Sequence, residues 1–302
     1  MRACIFCGST QDKLTAEHLF GNWISRAFQP ERKQQDRYRW WHQNLTGKRS
    51  EWRSASIDQK ARLLCPRCNN EWSSELENEV LKPLIEPLML RGRRTVLRLE
   101  DQLALSAWIV KTMIFYKHMW DSANPEHLFY SDEQRYQFRE TLEPPDGVII
   151  WLARFLGKTP TESAPIIGKL SGYEPRREEL RNVRTYVLTF SLRQFAVQML
   201  AVKRLTEDAP SLDWLIKFFE PTPMWQPATI RIWPDPRKEI VWPPRATMPR
   251  EAMQALADRY GSEFDLWPDE LVPIAGRNVV PFLLEHDSPA SKTKRRRSDR
   301  KL

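Results

Sequence analysis

Apolar residues recur at helical spacing in the first third of the chain. A stripe at every fourth position predicts a helix over 69–82, and two prolines after it are expected to kink or end that helix. The stripe consists of Trp72, Leu76 and Val80, and the prolines are Pro83 and Pro87. This spacing is typical of a helix that packs one face on a core.

A longer stretch, from Asp101 to about Met119, is apolar on nearly every face. It predicts a buried helix that Asp101 caps. Lys111 interrupts the most apolar part of this stretch. Because no apolar run in the chain reaches about 18 residues, no transmembrane helix is expected.

Alternating patterns and capping signals predict the elements that follow. Strands are expected at 148–156, 183–190 and 192–203, and helices at 211–220 and after the capping box Ser131–Gln134. Two short runs, 229–233 and 239–242, predict a hairpin, and 249–260 predicts a helix that Gly261 ends. This order of elements predicts an α+β fold.

The composition favours a folded chain of two domains. The chain has 302 residues, of which 41% are hydrophobic and 28% charged, which excludes a protein that is disordered throughout or embedded in a membrane. The expected domains cover 1–90 and 91–288, with a disordered basic tail over 289–302. The first residues lack the apolar core of a signal peptide, so a soluble, cytoplasmic protein is expected.

The net charge of +8 is concentrated in two segments. Residues 28–62 carry +5 and residues 289–302 carry +6, so the remainder is slightly acidic. Clustered positive charge favours a polyanionic partner, nucleic acid first, although a solvated face gives the same pattern. The tail suits either a non-specific DNA-binding arm or a nuclear localisation signal.

The four cysteines form two C-x-x-C pairs, and 57 residues separate the pairs. The cysteines are Cys4, Cys7, Cys65 and Cys68. Two such pairs supply the four thiolates of a tetrahedral structural zinc site, and no cysteine is left over. The alternative is four unrelated buried thiols.

The residues around these pairs resemble a known family. Glu17–His18 stands between the pairs, and Asn69 follows the last cysteine directly. The segments CIFCGS, LTAEHLF and LLCPRCNNEW together resemble the HNH (ββα-metal) endonucleases, in particular bacterial members that carry a further domain. The resemblance covers about residues 1–90. It implies a small N-terminal ββα-metal domain with the zinc site, before a larger α+β domain that regulates or that binds DNA or a partner.

The resemblance also implies roles for single residues. His18 is expected to be the general base, and Glu17 and Asn69 to hold a catalytic Mg²⁺ or Mn²⁺ ion. Asn70 is expected either to replace Asn69 or to cap the helix. An imidazole as general base and oxygen atoms as metal ligands suit phosphodiester hydrolysis at neutral pH. Because neighbouring strand residues point to opposite faces, the strand is expected to bend if Glu17 and His18 serve one site.

The chain departs from the family pattern in two places. The common acidic residue is Asp, and Glu17 is one methylene longer. The middle Asn of the motif is replaced by Lys60, and Gln43 and Asn44 are candidates for its role. Glu77 lies about 12 Å beyond the motif along a regular helix. That distance favours a structural or ion-pairing role for Glu77.

The segment 32–59 alternates polar and aromatic residues around a turn signal and predicts a β-hairpin. Its tryptophans are expected either to stack on nucleic-acid bases or to pack on the domain core. Five basic residues are candidate phosphate contacts: Lys48, Arg49, Lys60, Arg62 and Arg67.

These observations lead us to expect a metal-dependent endonuclease that hydrolyses DNA, with RNA as an alternative, in a role such as defence against foreign DNA. Two further hypotheses stay open. One is a non-catalytic, zinc-stabilised nucleic-acid-binding protein, which Lys60 favours. The other is an RNase or toxin effector that a ligand or protein partner controls through the C-terminal domain.

Overall fold

The computed structural model describes residues 2–27, 38–43, 49–54, 57, 59–89, 93–121, 128–154, 166–173, 178–220 and 226–248. The strands are β1 (Thr15–His18), β2 (Tyr38–Gln43), β3 (Arg49–Ser54), β4 (Lys60–Leu64), β5 (Thr95–Arg98), β6 (Val148–Arg154), β7 (Ile166–Tyr173), β8 (Val183–Leu192), β9 (Phe195–Arg204), β10 (Thr229–Trp233) and β11 (Glu239–Trp242). The helices are α1 (Asn22–Ala27), α2 (Pro66–Cys68), α3 (Lys82–Met89), α4 (Leu99–Asp121), α5 (Asp132–Thr141) and α6 (Leu212–Phe218). The prediction of an α+β fold is confirmed.

Seven strands form the main sheet, in the order β10-β6-β9-β8-β7-β2-β3. Neighbouring strands are antiparallel except β2 and β7, which are parallel. Two small antiparallel pairs, β1 with β4 and β5 with β11, lie outside this sheet. The predicted hairpin is confirmed as β2–β3, and it extends the sheet that the later strands form.

Helix α4 connects the N-terminal strand pair to the main sheet. Sixteen of its 23 residues are buried, including every residue from Leu105 to His118, so the predicted buried helix is confirmed. It packs against β4, β5, β7, β10 and the helical turn at 76–81. It begins earlier than expected, at Leu99, so Asp101 is not the N-cap residue but lies in the first turn, where it accepts a hydrogen bond from the Arg98 N–H at 2.8 Å. Within the described ranges, no helix has the length and hydropathy to cross a membrane.

One hydrophobic cluster contains residues from both predicted domains. Phe20, from the N-terminal part, lies 6.2 Å from the Trp108 ring and 5.2 Å from the Phe190 ring. The boundary at residue 90 stays a prediction, and both the main sheet and this cluster cross it.

Two tryptophans of the hairpin, Trp40 and Trp52, pack inward. Trp40 is fully buried, and its indole N–H donates a hydrogen bond to Ser54 Oγ at 2.8 Å. Trp52 stacks on Trp40 with 6.2 Å between the ring centroids, and its ring centroid lies 4.3 Å from that of Trp120. For Trp40 and Trp52, the hypothesis of core packing is therefore confirmed over that of base stacking.

The predicted hairpin over 229–242 is wrong. Strand β10 pairs with β6 at the edge of the main sheet, whereas β11 pairs with β5. Pro234 and Pro236 lie between them, and proline lacks the N–H that would extend a ladder into the turn. Strand β7 had no counterpart in the sequence analysis. The helix expected at 249–260 and the basic tail lie outside the described residues.

The helix expected over 69–82 is present as part of a longer helical segment from Pro66 to Met89, which includes Pro87 and is kinked at Glu71, where the backbone is not helical (φ −93°, ψ −111°). Two of its turns, Asn69–Ser73 and Leu76–Leu81, are π-helical. A π-helical turn holds more residues than an α-helical one, so positions four apart no longer share a face. Val80, which the stripe placed in the core, is accordingly 44% exposed.

Replacement of Trp40 tests whether the hairpin belongs to the core. We expect Trp40→Ala to lower the free energy of unfolding by about 3–5 kcal/mol, because it leaves a large buried cavity. Chemical denaturation measures the loss. Trp214→Ala, at a 40% exposed position, is the matched control and should cost about 1 kcal/mol or less. Equal losses in the two variants would contradict this packing.

Candidate functional site

The candidate site is built on the antiparallel strands β1 and β4 and on the helical segment 66–89 that follows β4. The register pairs His18 with Lys60 and Glu17 with Ala61, and it shifts between Thr15 and Ala16. This irregularity lies beside the position where the sequence analysis required a bend. Strand β4 runs directly into Cys65, so the register of the strands also places the second cysteine pair.

The two cysteine pairs meet in space. The four cysteine Sγ atoms all lie within 4.8 Å of one another, and Cys7 Sγ is 3.6 Å from Cys65 Sγ. Four sulfurs bound to a tetrahedral zinc at about 2.3 Å would be about 3.8 Å apart. The cluster therefore fits a metal ion such as zinc, and the hypothesis of four unrelated thiols is wrong.

The sulfurs also organise their own surroundings. Cys65 is the N-cap of α2, and its Sγ accepts a hydrogen bond from the Cys68 N–H at 3.4 Å. Asn70 is therefore not the cap that the sequence allowed. A hydrogen bond with Cys68 lowers the pKa of the Cys4 thiol to about 4, against the opposing effect of burial, whereas the same contact and burial raise the pKa of Cys68. Thiolate is the form that a metal binds.

Helix α5 holds the first cysteine pair from outside. Arg135 donates from Nε to the Ile5 carbonyl at 2.9 Å. Gly8 has a φ of +71°, and a Cβ there would lie 2.6 Å from the Tyr136 hydroxyl. Burial opposes the charge of Arg139, but Cys68, Glu140 and Cys7 together raise its pKa. A cation thus lies beside the cluster, where it would balance part of the excess negative charge that four thiolates on one divalent ion carry.

A pocket of about 320 Å³ opens next to the cluster, and it brings together the three residues that the sequence assigned to catalysis. Glu17 and His18 line it from β1, and Asn69 lines it from the start of the helical segment. The rest of the lining is mostly polar: Gly21, Asn22, Trp23, Arg26, Asn70, Ser73, Ser74, Glu77, Asn78 and Lys82.

Asn69 is fixed by its own hydrogen bonds. Its Nδ2 donates to Thr15 Oγ1 at 3.0 Å, and this hydroxyl donates to the Leu64 carbonyl at 3.0 Å. Because the amide nitrogen already donates this hydrogen bond, the carbonyl oxygen Oδ1 is the atom with which Asn69 could ligate a cation.

The floor of the pocket contains a buried charge cluster that we call the Lys111 triad, formed by Glu17, Glu77 and Lys111. Lys111 comes from α4 and is 1% exposed. Its Nζ lies 2.6 Å from Glu77 Oε1 and 3.4 Å from Glu17 Oε1. The ion pair that the sequence analysis expected for Glu77 is confirmed. Glu77 also lines the same pocket as Asn69, whereas the sequence analysis placed it outside the site.

Burial and pairing act against each other in this triad. Burial raises the pKa of Glu17, as does Glu77, while Lys111 lowers it. For Lys111, burial acts to lower the pKa, but the carboxylates of Glu77 and Glu17 outweigh it and raise the pKa. Lys111 is therefore a protonated, buried cation between two carboxyl groups.

Gly21 makes the room that Glu77 needs. A Cβ at residue 21 would lie 2.0 Å from Glu77 Oε2 and 2.7 Å from Trp23 Nε1. A side chain there would displace these atoms, so the glycine allows the carboxylate to approach the backbone. Glu77 is thereby held on one side by Lys111 and on the other by the close approach of Gly21.

The predicted phosphate contacts lie around the pocket rather than in it. Lys60 and Arg62 are exposed on β4, and Arg67 is exposed on α2 in an ion pair with Glu71. None of these three lines the pocket, whose lining cations are Arg26 and Lys82. Lys48 and Asn44 lie outside the described residues, Arg49 lies on β3 and Gln43 on β2.

Sequence reasoning therefore missed Gly21, Arg26, Glu77, Lys82 and Lys111 as residues of the site. A signal was present for Lys111, because a charged residue in an all-round apolar helix needs a buried partner. No sequence pattern pointed to Gly21 or Arg26.

The donor set of the pocket suits a hard divalent cation. Two carboxylates and one amide oxygen are ligands that Mg²⁺ and Mn²⁺ accept, with water in the remaining positions. Among the described residues, the four cysteines are the one tight cluster of three or more His, Cys, Asp or Glu side chains. Among these residues the pocket has no such tight cluster, so it would offer a cation few protein ligands.

Comparisons of this chain with protein-family models, with curated proteins and with solved structures found no match.

Replacement of Cys65 tests the metal centre. We expect Cys65→Ser to lose bound zinc and to unfold the N-terminal strands, because metal binding and folding are coupled in such sites. Zinc content by elemental analysis and circular dichroism measure the two effects. Ser9→Ala, beside the first pair, is the control and should keep its zinc. A folded Cys65→Ser protein with full zinc content would contradict the assignment.

Proposed function

We propose that this chain is a metal-dependent nuclease that hydrolyses phosphodiester bonds of DNA. His18 is the general base, and Glu17 and Asn69 hold one Mg²⁺ or Mn²⁺ ion. The observation that carries the proposal is that a single pocket is lined by Glu17, His18 and Asn69, which two distant segments supply.

The local architecture supports the same proposal. Two antiparallel strands precede a helical segment, and the cysteine pairs fasten both ends of this unit. This is the arrangement that the resemblance to ββα-metal endonucleases implies. Zinc in the cysteine cluster would have a structural role, because four protein ligands leave no open position for a substrate.

The residues of the pocket suit the steps of hydrolysis. His18, at the end of β1, is partly exposed and lies where a water molecule can enter. An imidazole there accepts the proton of the attacking water. A divalent ion held at Glu17 and Asn69 would stabilise the charge on the phosphate and on the leaving oxygen.

The rim supplies the contacts that a polyanion needs. Arg26 and Lys82 are exposed and line the pocket from α1 and from the start of α3. Cations at the mouth of a site attract and orient phosphates without reading sequence. Lys60, across the strand pair from His18, adds a further cation close to the site.

A second candidate function is a zinc-stabilised nucleic-acid-binding protein without catalysis. The register of the strand pair favours it, because Lys60, which replaces the middle Asn of the motif, lies opposite His18. An ammonium group cannot accept a hydrogen bond from an imidazole and so cannot orient it as an amide oxygen does.

Plasmid cleavage tests the two candidates. We expect the zinc-loaded protein to nick or linearise supercoiled DNA with Mg²⁺ or Mn²⁺ and to be inactive with EDTA. His18→Ala should reduce the rate by about 10²–10⁴-fold, the usual contribution of a general base. DNA binding, measured by gel shift, should be unchanged.

Glu75→Ala is the matched control, since Glu75 is exposed near the pocket but does not line it. It should cleave like the wild type. Full activity of His18→Ala would rule out the proposed base. Binding of DNA without cleavage under any metal would favour the second candidate, and a preference for RNA would point to the RNase hypothesis.

A further inference from the structure

The Lys111 triad carries an inference that rests on the proposed metal-dependent function and deepens it. A lysine that is 1% exposed needs a reason to be charged inside the protein, and here it has two carboxylates within 3.4 Å. Both carboxylates also line the pocket. The ammonium thus lies behind the surface that would receive a metal ion.

The charges of the triad do not cancel. Two carboxylates face one ammonium, so a net charge of one negative unit is left at the floor of the pocket. Lys111 holds one oxygen of each carboxylate, Oε1 in both cases, which leaves Oε2 of Glu17 and of Glu77 for other partners. Glu77 Oε2 is the atom that approaches Gly21.

We infer that the Lys111 ammonium is a permanent cation behind the lining of the pocket. Lys111 is a positioning residue that fixes Glu17 and Glu77 and limits the net negative charge of the two carboxylates. Its ammonium takes the place that a second divalent ion would need between two carboxylates. The pocket therefore binds one divalent ion with moderate affinity. Glu77 joins Glu17 and Asn69 as a residue of that site.

The net charge that each variant leaves in the pocket then predicts the order of their affinities for a divalent ion. Lys111→Met keeps the length of the side chain but removes its charge, so two negative units remain in the pocket. Glu77→Gln leaves none. The double variant Lys111→Met/Glu77→Gln returns to one. In a partly buried site each unit of charge near a divalent ion changes affinity by about tenfold or more.

The experiment measures Mn²⁺ binding to zinc-loaded protein by isothermal titration calorimetry, with electron paramagnetic resonance as a check. It is run at about pH 8, above the range in which carboxyl groups usually titrate. We expect Lys111→Met to bind Mn²⁺ at least tenfold more tightly than the wild type. Glu77→Gln should bind at least tenfold more weakly, and the double variant should lie close to the wild type.

Lys117→Met is the matched control. Lys117 lies on the same helix, is also buried and forms an ion pair with Asp121 away from the pocket. Its replacement should disturb folding in a similar way and leave the Mn²⁺ affinity unchanged. If Lys111→Met fails to fold, the double variant replaces it in the test, because it removes both partners of the Lys111–Glu77 ion pair. The double variant must then bind Mn²⁺ more tightly than Glu77→Gln does.

A Lys111→Met protein that is folded and binds Mn²⁺ as weakly as Glu77→Gln would overturn the inference, since a purely structural ion pair gives that pattern. The same holds if Lys117→Met changes the Mn²⁺ affinity as much as Lys111→Met does. The ranking is independent of cleavage. If it holds while no DNA is cut, the nuclease proposal fails and the role of Lys111 stands.

Discussion

The convergence of four cysteine sulfurs is the constraint on which the site depends. It joins two short segments that 57 residues separate, and both segments lead directly into residues of the pocket. Cys68 precedes Asn69, and Cys65 follows the strand that pairs with Glu17 and His18. One metal ion bound to all four sulfurs would fix the separation between the two sides of the pocket.

The second constraint comes from the middle of the chain. Helix α4 is buried on nearly all sides and packs on both the small strand pair and the main sheet. Through Lys111 it places a charge beneath the pocket, where burial is costly unless partners are present. The N-terminal unit is therefore not complete by itself: the side chain that balances Glu17 and Glu77 belongs to the later part of the chain.

The sequence predicted what local chemistry determines. The cysteine spacing indicated the four-cysteine cluster, the capping box at Ser131 is present, and the apolar stretch after Asp101 is a buried helix. Prediction from the sequence failed where contacts between distant parts of the chain determine the structure. The choice of β5 as the partner of β11 depends on contacts across the chain. Val80 is exposed because π-helical turns change the period on which the stripe was read.

Locating the two metals directly tests the central claim, that the pocket formed by Glu17, His18 and Asn69 is a cation site beside a structural zinc centre. Crystals of the zinc-loaded protein soaked in Mn²⁺ would be measured by anomalous diffraction at wavelengths that separate the two elements. The account predicts a zinc peak about 2.3 Å from each of the four sulfurs and a single manganese peak bonded to Glu17 and Asn69. A zinc peak with no manganese in the pocket would contradict it.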